Sequence, residues 1–329
     1  MDDAVNETAS RALWYVGAGR AEIRDERLAP LASGAVRVRA LHGAISRGTE
    51  SLVAHGRVPA SEFQRMRAPF MAGNFPFPVK YGYATVGVVE QGPTDLVGRT
   101  VFTLHPHQTL FDVPTSAAVV VPTGVPATRA VLAANMETAL NAVWDGGTDS
   151  MGKVSVVGAG VVGALTGFLL RQMRSADVTL IDIDPTRAAI ASRFGLAFAP
   201  PDRAPTECDL VVHASASAAG LATALASAAD EATVLELSWY GSADVPVPLG
   251  GAFHSRRLKL IASQVGKVAP SHRREWTHRR RLEKALELLA DDRLDVLFEP
   301  PIPFEDLPVR LPYVLGPASG ILCQAINYS

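Results

Sequence analysis

Cysteine is nearly missing from this sequence: two residues, Cys208 and Cys323, in 329. Two thiols cannot build a disulfide framework, and they cannot supply a zinc centre made of several cysteines. Long apolar runs are missing too. No stretch approaches the ~18 uninterrupted apolar residues of a membrane span. The start of the chain, "MDDAVNETASRALWYVGAGRAEI", is acidic where a secretory signal would be basic and then apolar. Charged residues make up only 19%, and they nearly balance at a formal net charge of −2. That balance argues against a general binder of nucleic acid or of anionic membranes. No internal repeat or low-complexity tract stands out. These absences leave a soluble, cytoplasmic protein whose partner is a small molecule, with no nucleic-acid or membrane role.

Apolar residues are plentiful, at 48%. A chain of this length with that much to bury suits two domains. Residues 10–123 read as all-β: short alternating runs such as "AVRVRAL" (35–41), "ATVGVVE" (84–90), "RTVFTL" (99–104) and "AAVVVP" (117–122) are punctuated by Gly and Pro. That spacing predicts a small barrel or sandwich. Between the runs lies a long irregular stretch, 51–82, rich in Phe, Pro and Arg, which reads as a functional loop or flap. From "TRAVLAANMETALNAVWD" (128–145) onward, continuous Val/Leu/Ile strands alternate with helical segments. This pattern predicts an α/β domain with a doubly wound parallel sheet, covered on both faces. The chain closes with an extended run, "GILCQAINY" (320–328), that could return to the first domain.

"SVVGAGVVG" (155–163) places Gly158, Gly160 and Gly163 in G-x-G-x-x-G spacing after a strand and before a helix. The first glycine allows a tight turn, the second admits a pyrophosphate, and the third lets helix and strand pack closely. The helix opening at Val161 and Val162 offers free N–H groups to that pyrophosphate. Asp182 ends the next strand, 22 residues beyond Gly160. A carboxylate there accepts from the adenosine ribose and repels a 2′-phosphate, so NAD is expected over NADP. Arg187, a few residues on, would offset part of that repulsion. Asp184-Pro185 reads as a helix start.

The order of domains, together with "GAISRGTES", "KYGYATVGVV" and "VSVVGAGVVG", resembles the medium-chain dehydrogenase/reductase superfamily, the alcohol-dehydrogenase-like enzymes with a GroES-like domain. The likeness covers essentially the whole chain, and "ISRGTE" resembles the bacteriochlorophyllide-type branch. It implies a GroES-like β-barrel over 1–123 and 268–329, and a Rossmann NAD-binding domain over 124–267. It also implies a homodimer, pairing through the strand-rich segment 244–263.

By the same resemblance, zinc-holding members keep cysteine, histidine, and cysteine or glutamate at three slots. This sequence puts Ser46, Tyr83 and Ala134 there, with Glu137 one turn from the last. A catalytic zinc needs three protein ligands, so zinc is expected to be absent. His105 and His107 in "HPHQ", with Glu50 or Glu137, are the only residues left for a displaced site, and a turn with satisfied imidazoles is the plainer reading. Without metal, hydroxyl or imidazole donors must polarise the substrate oxygen and pass its proton. Tyr83 leads, with Ser46, Thr49 and Glu137 beside it; an aromatic plug in a vacated cavity is the alternative for Tyr83. Arg47 corresponds to a position that contacts cofactor pyrophosphate in some members, or else is a solvated loop residue. Glu50 could hold Arg47 or another cation in place.

Asn135 and Glu137 lie on the helix that lines the interdomain cleft in that fold. Asn135, Trp239 and His107 are the substrate-side candidates. The basic run "SHRREWTHRRR" (271–281) reads as a solvated face. His213 and His254 read as structural. Three functions are open: a zinc-independent NAD-dependent dehydrogenase of a bulky secondary alcohol or ketone, a zinc-free NADPH quinone or enoyl reductase, and a non-catalytic nucleotide-binding protein.

Overall fold

A computed structural model describes residues 8–147, 152–317 and 319–328. The first seven residues of the acidic N-terminal stretch lie outside it. The chain divides into two compact units, 1–134 with 298–329 and 135–297.

The first unit begins with strands β1 (Thr8–Gly17), β2 (Arg20–Leu28) and β3 (Ala35–Ile45), then helix α1 (Arg47–Ala54). The irregular stretch contributes only two short strands, β4 (Ala72–Gly73) and β5 (Val79–Lys80). Then follow β6 (Thr85–Gln91), β7 (Thr100–Thr103), β8 (Leu110–Pro114), β9 (Val119–Val120) and a short helix, α2 (Ala127–Ala130). The boundary falls in the first turn of α3 (Ala133–Asp145). The second unit carries β10 (Lys153–Val157), α4 (Val161–Arg174), β11 (Asp177–Ile181), α5 (Ala188–Phe194) and β12 (Ala197–Ala199). It continues through β13 (Cys208–His213), α6 (Ala218–Ser227), β14 (Ala228–Glu236), β15 (Lys259–Ala262) and α7 (His278–Leu288). The chain returns to the first unit with β16 (Phe298–Pro303), α8 (Leu307–Val314) and β17 (Cys323–Asn327).

Two sheets build the first unit. One has the order β2-β1-β5-β4; the other runs β16-β17-β3-β6-β7-β9, with β8 also on β3. The expected extended C-terminal run is β17, antiparallel to β3. Alternation explains these strands: Val36, Val38 and Ala40 of β3 turn inward onto Val89, Val101, Phe111 and Val113, while Arg37 and Arg39 pair with Asp112 and Glu90.

The sheet of the second unit is parallel throughout, in the order β12-β11-β10-β13-β14-β15. Counted within that unit, the order is 3-2-1-4-5-6, the doubly wound arrangement whose chain reversal lies between the first and fourth strands. Its strands are apolar almost continuously because helices cover both faces; Val154, Val156, Leu210, Val211 and Val212 are all buried.

Two expectations change. Residues 268–297 group with the second unit rather than the first, because Arg281 of α7 donates from a buried position to Glu137 and Asn141 of α3. Of the strand-rich segment 244–263, only Lys259–Ala262 is a strand.

Candidate functional site

The turn after β10 is shaped by its glycines. Gly158 takes φ +103°, and a Cβ there would lie 2.6 Å from the amide nitrogen of Ser215. At Gly163 a Cβ would stand 1.9 Å from the carbonyl oxygen of Gly158, so helix and turn touch only because it is missing. Gly160 is different: a Cβ would meet nothing within 4 Å. Its bareness serves nothing inside the fold, and the open space lies at the start of α4. No side chain caps that helix and no acidic residue occupies its first turn, so the first N–H groups and the positive end of the dipole are available to an anion. Val161 and Val162, half-buried, open the helix.

Asp182 follows the last residue of β11 and ties this turn together. Its Oδ2 accepts from the Ala159 amide at 2.7 Å, and its Oδ1 accepts from Asp184 N–H at 2.9 Å. Arg187 pairs with Asp184 at 3.2 Å. It is held on its own turn. These residues fit a dinucleotide: an open glycine, an uncapped helix start and a fixed carboxylate at the end of the second strand.

In the first unit, α1 and the turn before β6 bring three hydroxyls together. The Tyr83 hydroxyl donates to Ser46 Oγ at 2.6 Å, and the Thr49 hydroxyl acts on the same phenol. Burial pushes the Tyr83 phenol up to about 12, against the opposing pull of those two hydroxyls. At neutral pH it is a hydrogen-bond donor and not a base. The preceding residue, Gly82, takes φ +121°, and a Cβ there would fall 2.8 Å from the His107 ring.

Beneath the hydroxyls lies Glu50, fully buried. Its carboxylate accepts from the Ser46 amide at 2.8 Å, from the Tyr15 hydroxyl at 2.8 Å and from His107 Nε2 at 3.0 Å. An uncompensated buried carboxylate would be costly, and three donors account for it. Tyr328 approaches the other ring nitrogen of His107 at 3.4 Å.

Several expected site residues are engaged elsewhere. Arg47 donates to the carbonyls of Val314, Gly316 and Ile321; it clamps the end of α8 and the segment after it. His107 is fully buried on Glu50 and does not face a substrate. Glu137 is paired with Arg281 at 3.0 Å, with both side chains buried. That makes it a structural partner and not a free acid or base. Asn135 is nearly buried on the first turn of α3, and Trp239 is half-buried three residues after β14. Sequence reasoning missed Arg281 by reading its run as solvated. The signal was present: residue 281 falls on the same helical face as Ala285 and Leu289, which are buried.

No family model matches the sequence, and no curated protein matches it. Solved structures do match. L-idonate 5-dehydrogenase from Escherichia coli K-12 superposes with a TM-score of 0.80, over 98% of this chain and 99% of that one, at 14% identity. 2R,3R-butanediol dehydrogenase from Bacillus subtilis gives 0.77 over 97% and 100%, at 14% identity. S. aureus TarJ, solved with NADPH, gives 0.75 over 98% and 100%, also at 14%. This chain has the medium-chain dehydrogenase/reductase fold.

On this dehydrogenase fold, the positions that the sequence compares with zinc ligands carry a serine, a tyrosine and an alanine. Ser46 and Tyr83 are bonded to each other, and Ala134 has no donor atom in its side chain. His105 is stacked on Phe111 at 3.8 Å, and burial lowers its pKa to about 3. Among the described residues, no group of three or more His, Cys, Asp or Glu is gathered so as to hold a metal ion. The three compared positions, 46, 83 and 134, carry no cysteine, histidine or carboxylate. No described helix is long and apolar enough to cross a membrane.

Proposed function

We propose that this chain is an NAD-dependent oxidoreductase that interconverts a bulky secondary alcohol and its ketone without zinc. The observation that carries this reading is the open glycine at 160, set between an uncapped helix and the Asp182 carboxylate on a 3-2-1-4-5-6 sheet. When bound, the nicotinamide accepts or gives the hydride. Asp182 accepts from the adenosine ribose hydroxyls, and the first amides of α4 bind the pyrophosphate. Arg187 is occupied by Asp184, which leaves a 2′-phosphate without that partner and supports NAD over NADP.

The hydroxyl group of Tyr83, Ser46 and Thr49 takes the substrate oxygen. Tyr83 stays protonated at neutral pH, so once its hydroxyl turns from Ser46 to the substrate oxygen it supports charge developing there by donation, and Ser46 passes protons between Tyr83 and solvent. The Phe-rich stretch 51–82 supports a large substrate.

We also propose a homodimer. β15 is the outer strand of its sheet, all four of its residues are exposed, and two of them are Leu260 and Ile261.

The deciding experiment titrates metal-stripped protein with NADH and with NADPH by fluorescence, and counts bound metal in the protein as purified. NADH binding without stoichiometric zinc, followed by oxidation of bulky secondary alcohols that Tyr83→Phe abolishes, is the expected result. Stoichiometric zinc would sink the hydroxyl mechanism, and preference for NADPH would favour quinone or enoyl reduction instead.

A further inference from the structure

A second polar cluster sits at the carboxyl ends of β13 and β14, and none of its members takes part in the chemistry described above. His213, the last residue of β13, is fully buried. Its Nδ1 lies 2.7 Å from Glu236 Oε2, at the end of β14, and its Nε2 lies 2.7 Å from Ser215 Oγ. Serine, imidazole and carboxylate thus form a continuous line with two short hydrogen bonds.

The surroundings fix each member of that line. Glu236 receives the Ser238 amide at 2.7 Å on Oε1 and the Tyr240 hydroxyl at 3.0 Å on Oε2. Burial alone would raise the Glu236 pKa, but donation from His213 and Ser238 outweighs it, and the carboxyl sits below its ordinary range. The ionised carboxylate fixes the imidazole proton on Nδ1 and leaves the Nε2 lone pair facing the serine. Ser238 Oγ and Tyr240 Oη also approach Nδ1, at 3.4 and 3.3 Å.

Ser215 stands on a strand–turn–helix connection, and the next residue, Ala216, takes the left-handed φ of +52°. Its Oγ lies against the first turn of α6. A Cβ at Gly220 would be 2.0 Å from Ser215 Oγ and 2.9 Å from His213 Nε2, so only glycine admits the pair at this helix start. Ser217 caps α6 by accepting from Gly220 N–H, and its Oγ is 2.9 Å from that of Ser215. The Ala218 and Ala219 amides open α6, where the backbone presents donors to an anion. Ser215 is half-exposed and its neighbours Ala216 and Ser217 are exposed, so a small ligand can reach the hydroxyl.

A serine bonded to the base nitrogen of a histidine, itself held by a carboxylate, beside backbone donors, is the arrangement that acyl transfer requires. We propose that Ser215, His213 and Glu236 form a second catalytic site, at which Ser215 is acylated by small activated carboxylic esters. Ser215 Oγ bonds to the ester carbonyl carbon as His213 Nε2 takes the hydroxyl proton. The carbon–oxygen bond to the leaving alcohol breaks, and that alcohol takes the proton from His213. Water then attacks the acyl-serine with His213 again as base, releasing the acid and restoring Ser215. The net reaction is ester plus water to acid plus alcohol, with no redox change. It does not rest on the dinucleotide reading.

The test uses the whole chain without nucleotide. p-Nitrophenyl acetate should give a burst of nitrophenol, and a fluorophosphonate should add one adduct that peptide mass spectrometry places on Ser215. Ser215→Ala and His213→Gln should each cut the hydrolysis rate by at least about tenfold, with thermal melting reporting whether each variant is folded. Labelling of the wild-type chain keeps the test decisive even if a variant fails to fold. No adduct, or an adduct on a lysine, a tyrosine or another serine, would overturn the proposal.

Discussion

Tyr83 shows what burial does to a single side chain. Its phenol is pushed up to about 12, mainly by burial, and Tyr15, Tyr81 and Tyr328 are raised for the same first reason. A phenol raised in the folded state keeps its proton there after the unfolded chain has lost it. The stability Tyr83 contributes is therefore whole below about pH 10 and is lost as pH climbs toward about 12. Urea unfolding across that window should show a steep decline, shallower in Tyr83→Phe; a flat profile would contradict the buried phenol. Ser46 and Thr49 were legible beside Tyr83 because the motif comparison brings two short segments together. Arg47, between them, was not, because its carbonyl partners lie 267 to 274 positions later in the chain. His107 was misassigned for the same reason, since Glu50 is 57 positions away. Sequence spacing reports contacts within a turn or a strand pair, and the partners that occupy these two side chains come from farther along the chain.

At the scale of one element, the turn from β10 into α4 was readable almost in full, because Gly158 and Gly163 answer constraints inside the fold that no other residue meets and Gly160 leaves open space at the helix start. The three positions should nevertheless fail differently. Gly163→Ala sets a Cβ 1.9 Å from the Gly158 carbonyl, so its melting temperature should fall sharply. Gly160→Ala meets nothing, so it should melt like the parent yet bind NADH at least about tenfold more weakly, as a methyl group fills the space the pyrophosphate needs. Equal NADH affinity in Gly160→Ala would count against the phosphate site. The helix α7 carries the opposite lesson. Arg281 lies in a run of arginines that looks solvated, but it is the one turned inward, onto Glu137, Asn141 and the carbonyls of Val265 and Lys267. Arg281→Met leaves a buried carboxylate without its cation and should cost about 3–5 kcal/mol by denaturant titration. Adding Glu137→Leu should return part of that loss, because the stranded charge goes with it. A double variant less stable than Arg281→Met would mean that packing around Glu137, not charge, is what Arg281 supports.

For the whole molecule, the outline of a β-rich unit, a parallel α/β unit and a returning C-terminus was visible in sequence, because strand period and glycine punctuation are local signals. The boundary at 298 was not, since α7 joins the second unit through one arginine and an apolar face rather than through a composition change. The same unit ends in an unprotected edge. β15 presents Lys259, Leu260, Ile261 and Ala262, all exposed, with Leu260 at 38% and Ile261 at 41%. An outer strand with unpaired backbone groups and apolar side chains is a template for pairing, and Lys259 is the one charge among its four residues. A second copy related by a two-fold axis would pair the same strand with itself and close the assembly at two. Light scattering should therefore give twice the 34.9 kDa chain mass. Ile261→Lys sets like charges close together across that axis and should shift the protein to monomer with its NADH affinity unchanged. A monomeric parent would overturn the dimer, and a variant that remains dimeric would place the contact somewhere other than β15.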